Sequence, residues 1–212
     1  MRVVVFGSTG GVGQQLCRVL LARGHQPVAV TRRDPPAGLS DCELRRGSVL
    51  DADVVRHAVR GCDAALSALG PKRVAPGNPW SRLAGPPDFA ERSAAVLTAA
   101  LRAEGIQRVI AVSAAGIGAR EWHPMLSLLR ATSTLGPMYR DLIRMEAVYA
   151  GSGLDWQCVR PVVLTHGAGR GQARVVEGFG LFATLARADL AAWMVDQLHV
   201  DPPRPRTPVL RG

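Results

Sequence analysis

The chain opens on an unbroken apolar run at residues 2–6 (RVVVF), with no alternation of polar and apolar positions. A run of β-branched residues like this marks a strand buried on both faces, as strands of parallel sheets are. Glycines follow, and then Val12, Leu16, Val19 and Leu20 recur at helical spacing across 12–23. The same pair of patterns repeats downstream. Residues 27–31 (PVAVT), 43–46, 63–69 (DAALSAL), 106–113 (IQRVIAVS), 155–160 (DWQCVR) and 173–177 read as further strands. Val54, Val55, Ala58 and Val59 define a helix that Asp51 can cap. Phe89, Val96, Leu97, Ala100 and Leu101 face inward from a helix across 89–104. Helices are also predicted over 124–133 and 138–150, and a last one runs from a cap at Asp189 through Leu198.

Strands alternating with helices at this spacing imply an α/β domain, with a parallel sheet and helices on both faces. No repeat of solenoid period interrupts it. Glycine and proline mark the loops at 32–40 and at 70–87 (GPKRVAPGNPWSRLAGPP), and 114–137 is irregular around its one short helix. Loops that long in a compact domain are often functional. The reading is one domain over 1–200. A tail over 201–212, with four prolines, is expected to be loosely ordered.

Composition changes this picture little. The chain has 212 residues, enough for a full core without staples, and 47% are hydrophobic. A net charge of +9 raises the question of nucleic acid. Only Lys72 among the 26 basic residues is a lysine, an arginine bias that GC-rich bacterial coding produces. No basic block forms a stripe and aromatics are 5%, so a solvated basic surface is expected rather than a nucleic-acid face. The four cysteines form no C-x-x-C pair and read as reduced thiols. The five histidines are scattered, so no zinc-type cluster is expected. Residues 1–6 show no secretory apolar region and the chain no apolar run of spanning length, so neither secretion nor a membrane anchor is expected, and a cytoplasmic location is.

The chemistry begins at Gly7, Ser8, Thr9, Gly10, Gly11, Val12 and Gly13. This G-x-x-G-x-x-G lies between the first strand and the first helix, where a nucleotide pyrophosphate can meet the helix N-terminus. Gly7 allows the tight turn, Gly10 the approach of phosphate, and Gly13 close packing of helix on strand. Ser8 and Thr9 can add hydroxyl donors. The whole pattern is that of a Rossmann-type doubly wound parallel sheet. A small substrate-side cap would be built from 70–87, 114–137 and 161–185. The second strand ends at Thr31, followed by Arg32 and Arg33. Readers of NAD place an acid here for the ribose 2′-hydroxyl, whereas arginine suits a 2′-phosphate, so NADP(H) is the expected cofactor. Asp34 is expected to fall past the ribose position. Ser48 and Val49 would border the adenine. Ala68, Leu69 and Gly70 would pass the ribose and pyrophosphate, and Ser113 would face the nicotinamide.

These residues resemble the atypical short-chain dehydrogenase/reductase group with NmrA-like NAD(P)-binding domains. The resemblance runs through 7–13, 31–33, 47–51 (GSVLD), 109–116 (VIAVSAAG), 152–161 (SGLDWQCVRP) and 186–198, nearly the whole chain. Residues 141–156 look most like the biliverdin reductase B, or flavin reductase, branch. The resemblance implies Ser113 as the active-site serine and Pro161, Val162 and Val163 as cofactor neighbours. Two departures stand out. The branch carries a histidine where this chain has Val163, with His166 three residues on. Short-chain dehydrogenases also pair a tyrosine with a lysine four residues later, whereas Ile143 follows Tyr139 and Gly153 follows Tyr149 at that spacing. Arg144 is no simple substitute, since a guanidinium hardly yields its proton.

Reduction of a carbonyl needs a proton at the developing alkoxide, while a flavin or quinone delocalises charge and asks mainly for positioning. The favoured reading is therefore an NADPH-dependent oxidoreductase acting on a flat small-molecule acceptor. Ser113 and, more weakly, Tyr139 are its candidate catalytic residues. His123 and His166 read chiefly as surface residues. Trp80 and Trp122 are available to stack on a flat substrate. Two alternatives stay open: a biosynthetic ketone reductase, and an NmrA-like NADP(H) sensor that binds a protein partner. A monomer or weak homodimer is expected.

Overall fold

The computed structural model describes residues 1–212 apart from 33, 35, 76, 118–123, 181 and 202–203. The expectations placed on Arg33, Trp122 and His123 therefore lie outside the described residues. Among the described residues, ten strands and six α-helices follow one another. The first half comprises β1 (Arg2–Phe6), α1 (Gly11–Ala22), β2 (Gln26–Thr31), β3 (Glu43–Arg46), α2 (Ala52–Val59), β4 (Ala64–Ser67), α3 (Phe89–Ala103) and β5 (Arg108–Val112). The second comprises α4 (Pro124–Thr132), α5 (Leu135–Ala150), β6 (Asp155–Pro161), β7 (Val163–Thr165), β8 (Arg174–Val176), β9 (Thr184–Ala186), α6 (Arg187–Asp196) and β10 (Val209–Arg211).

Eight strands form one sheet in the order β3-β2-β1-β4-β5-β6-β10-β8, parallel except where β8 runs against β10. The order reverses between β1 and β4, and ligands bind beyond the strand ends at such a switch point. Side chains of β1 explain the apolar run. Val4 and Phe6 enter the core beneath α2, α3 and α5, while Val3 and Val5 enter the core beneath α1 and α6. A strand covered on both faces has no polar side to show.

Three details depart from the sequence reading. The C-terminal residues, expected as a loose tail, supply β10, with Val209 and Leu210 buried and paired to Arg160 and Pro161 of β6. Asp189 does not cap the last helix: that helix starts at Arg187 after an extended Ala186, and Asp189 instead accepts the backbone N–H groups of Arg170 and Gly171 at 2.8 and 2.9 Å. A separate two-stranded piece, β7 with β9, was not anticipated.

Residues 70–75 and 77–87 form a flap. Val74 N donates to Arg82 O, Ala84 N donates to Lys72 O, and Thr134 at the foot of α5 donates to Pro79 O. At the root of α3, buried Asp141 of α5 accepts the N–H groups of Ala90 and Glu91 at 2.9 and 3.0 Å, which fixes the helix start under the flap. All four cysteines are free and buried. Burial pushes the Cys62 thiol up to about 11 and the Cys17 and Cys158 thiols higher still. Among the described residues, no helix is long and apolar enough to cross a membrane.

Candidate functional site

At the end of β1 the chain turns through Gly7, whose φ of +76° favours glycine. A Cβ there would fall 2.7 Å from the Ala68 carbonyl oxygen, so β4 closes on the turn from the other side. The loop then folds back on itself. Gly10 N donates to Gly7 O at 2.9 Å, and a Cβ on Gly13 would fall 2.2 Å from Gly7 O and 2.6 Å from Ser8 Cα. Helix α1 thus begins pressed against β1, as the glycine spacing predicts. Its N-cap, Gly10, gives no side-chain cap and its first turn holds no acid. Its first N–H groups and positive dipole end therefore carry no side-chain cap.

A cleft of about 630 Å³ opens from this loop along the strand ends. Gly7, Thr9 and Gln14 line one end, and Thr31 and Arg32 line the wall after β2. Ser48 and Val49 line the region after β3, with Ala68, Leu69 and Gly70 after β4. The flap closes it with Lys72, Leu83 and Pro86, and Phe89 stands at its back. The structure therefore gathers Gly7, Thr9, Arg32, Ser48, Val49, Ala68, Leu69 and Gly70 of the sequence-predicted cofactor residues around one cavity.

The remaining residues fall elsewhere. Ser8 is buried and its hydroxyl donates to Val30 O at 2.8 Å, so it is not the hydroxyl donor expected. What Ser8 offers a phosphate is its backbone. Asp34, expected past the ribose, also lines the cleft, and Arg46 pairs with its carboxylate at 2.6 Å. Pro161 and Val162 are buried and Val163 is 63% exposed; none of the three lines the cleft. Pro161 and Val162 instead stitch the large sheet, with Pro161 O accepting Ala115 N and Val162 N donating to Leu210 O, and Val163 pairs with Thr184 in β9. His166 is exposed, as is Trp80 on the flap.

Two orphaned hydroxyls, one in the cleft wall and one outside its lining, bear on whether the strand ends suit a dinucleotide. Thr31 Oγ1, in the cleft wall, and Ser113 Oγ, just past β5, are both buried without a hydrogen-bond partner among the described residues. A buried hydroxyl left unpaired is unfavourable, and a ribose or amide group would satisfy it. With the glycine cradle and the uncapped helix, they fit a nucleotide. Ser113 is fixed through its backbone, whose N–H donates to Val159 O at 2.7 Å. Tyr139 is half-buried beneath the Arg130 guanidinium, which stands 5.3 Å from the ring centroid and donates to Gly116 O. A Cβ on Gly116 would stand 3.7 Å from the Tyr139 hydroxyl. The other tyrosine, Tyr149, belongs to the core, where burial pushes its phenol well up against a hydrogen bond with Ser67. Neither Ser113 nor Tyr139 lines the cleft around the glycine loop.

Sequence reasoning missed Gln14 and Gly47, and it placed Lys72 and residues 83–86 only in a substrate-side cap. The one available signal was that Lys72, the only lysine, sits in a long loop after a strand end.

Known proteins share this architecture. A family model described as NAD(P)H-binding matches residues 7–201. Over 133 residues the chain is 35% identical to a 2-alkyl-3-oxoalkanoate reductase of Stenotrophomonas maltophilia (strain K279a), covering 60% of this chain and 38% of that protein. The chain therefore spans well under half the length of that curated relative. Among solved structures, a short-chain dehydrogenase/reductase from Veillonella parvula DSM 2008 in complex with NADP is similar at TM-score 0.78 and 16% identity, over 99% of this chain and 93% of that one. ChuY from Escherichia coli O157:H7, described as an anaerobillin reductase, is similar at TM-score 0.74 and 24% identity, over 99% and 96%. At these identities the structural likeness is one of fold.

Proposed function

The chain belongs to the NAD(P)H-binding family, and from that premise we propose that it is an NADPH-dependent oxidoreductase passing hydride to a flat acceptor of flavin or quinone type. The Gly7–Gly13 loop and the start of α1 hold the pyrophosphate. Thr31 and Arg32 take the 2′-phosphorylated ribose, Ser48 and Val49 border the adenine, and Ala68, Leu69 and Gly70 wall the path between. When bound, NADPH supplies the hydride. Preference for the phosphorylated cofactor rests on Arg32, which makes no ion pair among the described residues, and on Asp34 being neutralised by Arg46. Arginine binds phosphate through a fork of donors, so the end of β2 suits a 2′-phosphate.

The observation that carries the flat-acceptor reading is the Ser113 hydroxyl, buried and unpartnered among the described residues, in a chain whose tyrosines have no lysine four residues on. A delocalised acceptor needs one well-placed hydrogen bond and draws its proton from solvent. The similarity to the 2-alkyl-3-oxoalkanoate reductase favours a second reading, reduction of a ketone, with Ser113, Tyr139 or water giving the proton.

Oxidation of NADPH and NADH followed at 340 nm separates these readings, with FMN, riboflavin, a simple quinone and a planar aromatic ketone as acceptors. Turnover of NADPH on flavin or quinone, reduced in Ser113→Ala and in Arg32→Ala, is the expected result. Turnover confined to the ketone moves the assignment to the second reading. Tight NADPH binding with no turnover on any acceptor overturns the enzyme reading in favour of a sensor.

A further inference from the structure

Arg187 opens helix α6 directly after β9, at the far end of the chain from the glycine loop, yet the fold brings it against that loop. A Cβ placed on Gly11 would fall 2.9 Å from Arg187 Cδ and 3.0 Å from its Nε. The arginine stem therefore lies across the first residue of α1. Its Nη1 is buried and has no hydrogen-bond partner among the described residues. Nor does any carboxylate among them pair with it, whereas Arg23, Arg45, Arg160 and Arg206 all meet acids. Asp189, two residues on in the same first turn, accepts instead from the Arg170 and Gly171 N–H groups.

The electrostatics of this placement point one way. A cation is disfavoured in the first turn of a helix, where the dipole is positive. Arg187 occupies the first turn of α6 and leans over the first turn of α1, which has neither an acid nor a side-chain cap. The positive end of α1 and a guanidinium with one buried nitrogen therefore meet, while Asp189, the acid in the first turn of α6, is taken up by backbone N–H groups and no carboxylate among the described residues pairs with Arg187. Such an arrangement is stabilised by an anion held between them, and the glycine loop is built to admit one.

We propose that Arg187 is a binding residue of the dinucleotide site, its guanidinium pairing with the pyrophosphate held over Gly10, Gly11 and Val12. This rests on the dinucleotide reading of the cleft. The Gly7–Gly13 loop then provides neutral donors, and Arg187 provides the charge that the loop lacks. Gly11 acquires a second reason to be glycine, because any side chain there displaces the arginine stem.

Dissociation constants of NADPH and NADH for wild type, Arg187→Ala, Arg187→Lys and Gly11→Ala, at low and high salt, test this, alongside the Tm of each ligand-free protein. The expected result is that Arg187→Ala weakens NADPH and NADH by the same factor, about tenfold or more. Its ligand-free Tm should stay near that of wild type, the salt dependence of its binding should flatten, and Arg187→Lys should recover part of the loss. Gly11→Ala should weaken both cofactors as well. A loss confined to NADPH would place Arg187 at the 2′-phosphate and overturn the assignment. Unchanged affinities with a lowered Tm would make the arginine a structural cation and also overturn it. Failure of the wild type to bind either nucleotide would sink the dinucleotide reading itself, a result distinct from a defect seen only in the variants.

Discussion

Gly13 and Gly70 both border the proposed nucleotide path, yet they differ in what a methyl group would meet. At Gly13 it would sit 2.2 Å from a backbone oxygen and 2.6 Å from a Cα, neither of which can move aside without unwinding the turn. At Gly70 there is nothing within 4 Å and no positive φ. Gly13→Ala is therefore expected to cost at least about 1–3 kcal/mol of stability, as overpacking does. Gly70→Ala should stay within about 0.5 kcal/mol. Thermal unfolding of the two variants side by side checks this, and equal Tm values would contradict the loop geometry. Gly7 and Gly13 were legible because their spacing between a strand and a helix reports backbone contacts local in sequence. Arg187 was not, since its meaning lies in a contact with Gly11 that only the folded chain creates. The role given to the Ser8 hydroxyl was wrong for the same reason: its acceptor, Val30 O, lies on the neighbouring strand.

At the scale of elements, the strands and helices buried on long faces were readable, and those defined by remote partners were not. Strands β1, β2, β4 and β5 carry apolar runs that only a doubly covered parallel sheet explains. Strands β7, β9 and β10 have three residues each, too few to show a period, and exist because of what they pair with. Asp189 looked like a helix cap because an acid preceded an apolar run, but β9 leads straight into α6 and the acid serves a loop instead. The true cap by a distant acid is Asp141, which ties α5 to the first turn of α3. Its loss leaves two backbone donors without their acceptor. Asp141→Ala is expected to destabilise by about 1–3 kcal/mol, or roughly 2–4 °C in Tm for each kcal/mol at this chain length. Hydrogen exchange should quicken first at Ala90 and Glu91; exchange confined to other segments would show that the cap is not what holds α3.

For the whole molecule, both ends of the chain enter the eight-stranded sheet, β1 in its interior and β10 beside the edge strand β8. Strand β1 and the glycine loop begin the cleft, while α6 brings Arg187 back to it and β10 fills the place between β6 and β8. Residues lining the cleft thus come from the ends of several strands and from a flap, so a nucleotide bound there touches several segments at once. A ligand that binds the folded state alone stabilises it by RT ln(1 + [L]/Kd), about 2.7 kcal/mol at a hundredfold excess over Kd. For a chain of this length that raises Tm by roughly 5–10 °C. NADPH should produce such a shift and NADH at equal concentration a smaller one, with the difference between them shrinking in Arg32→Ala because that variant loses the 2′-phosphate partner but keeps the pyrophosphate cradle. Equal shifts from both cofactors in the wild type would mean that Arg32 does not read the 2′-phosphate. The absence of any shift would mean that the cleft does not hold a dinucleotide.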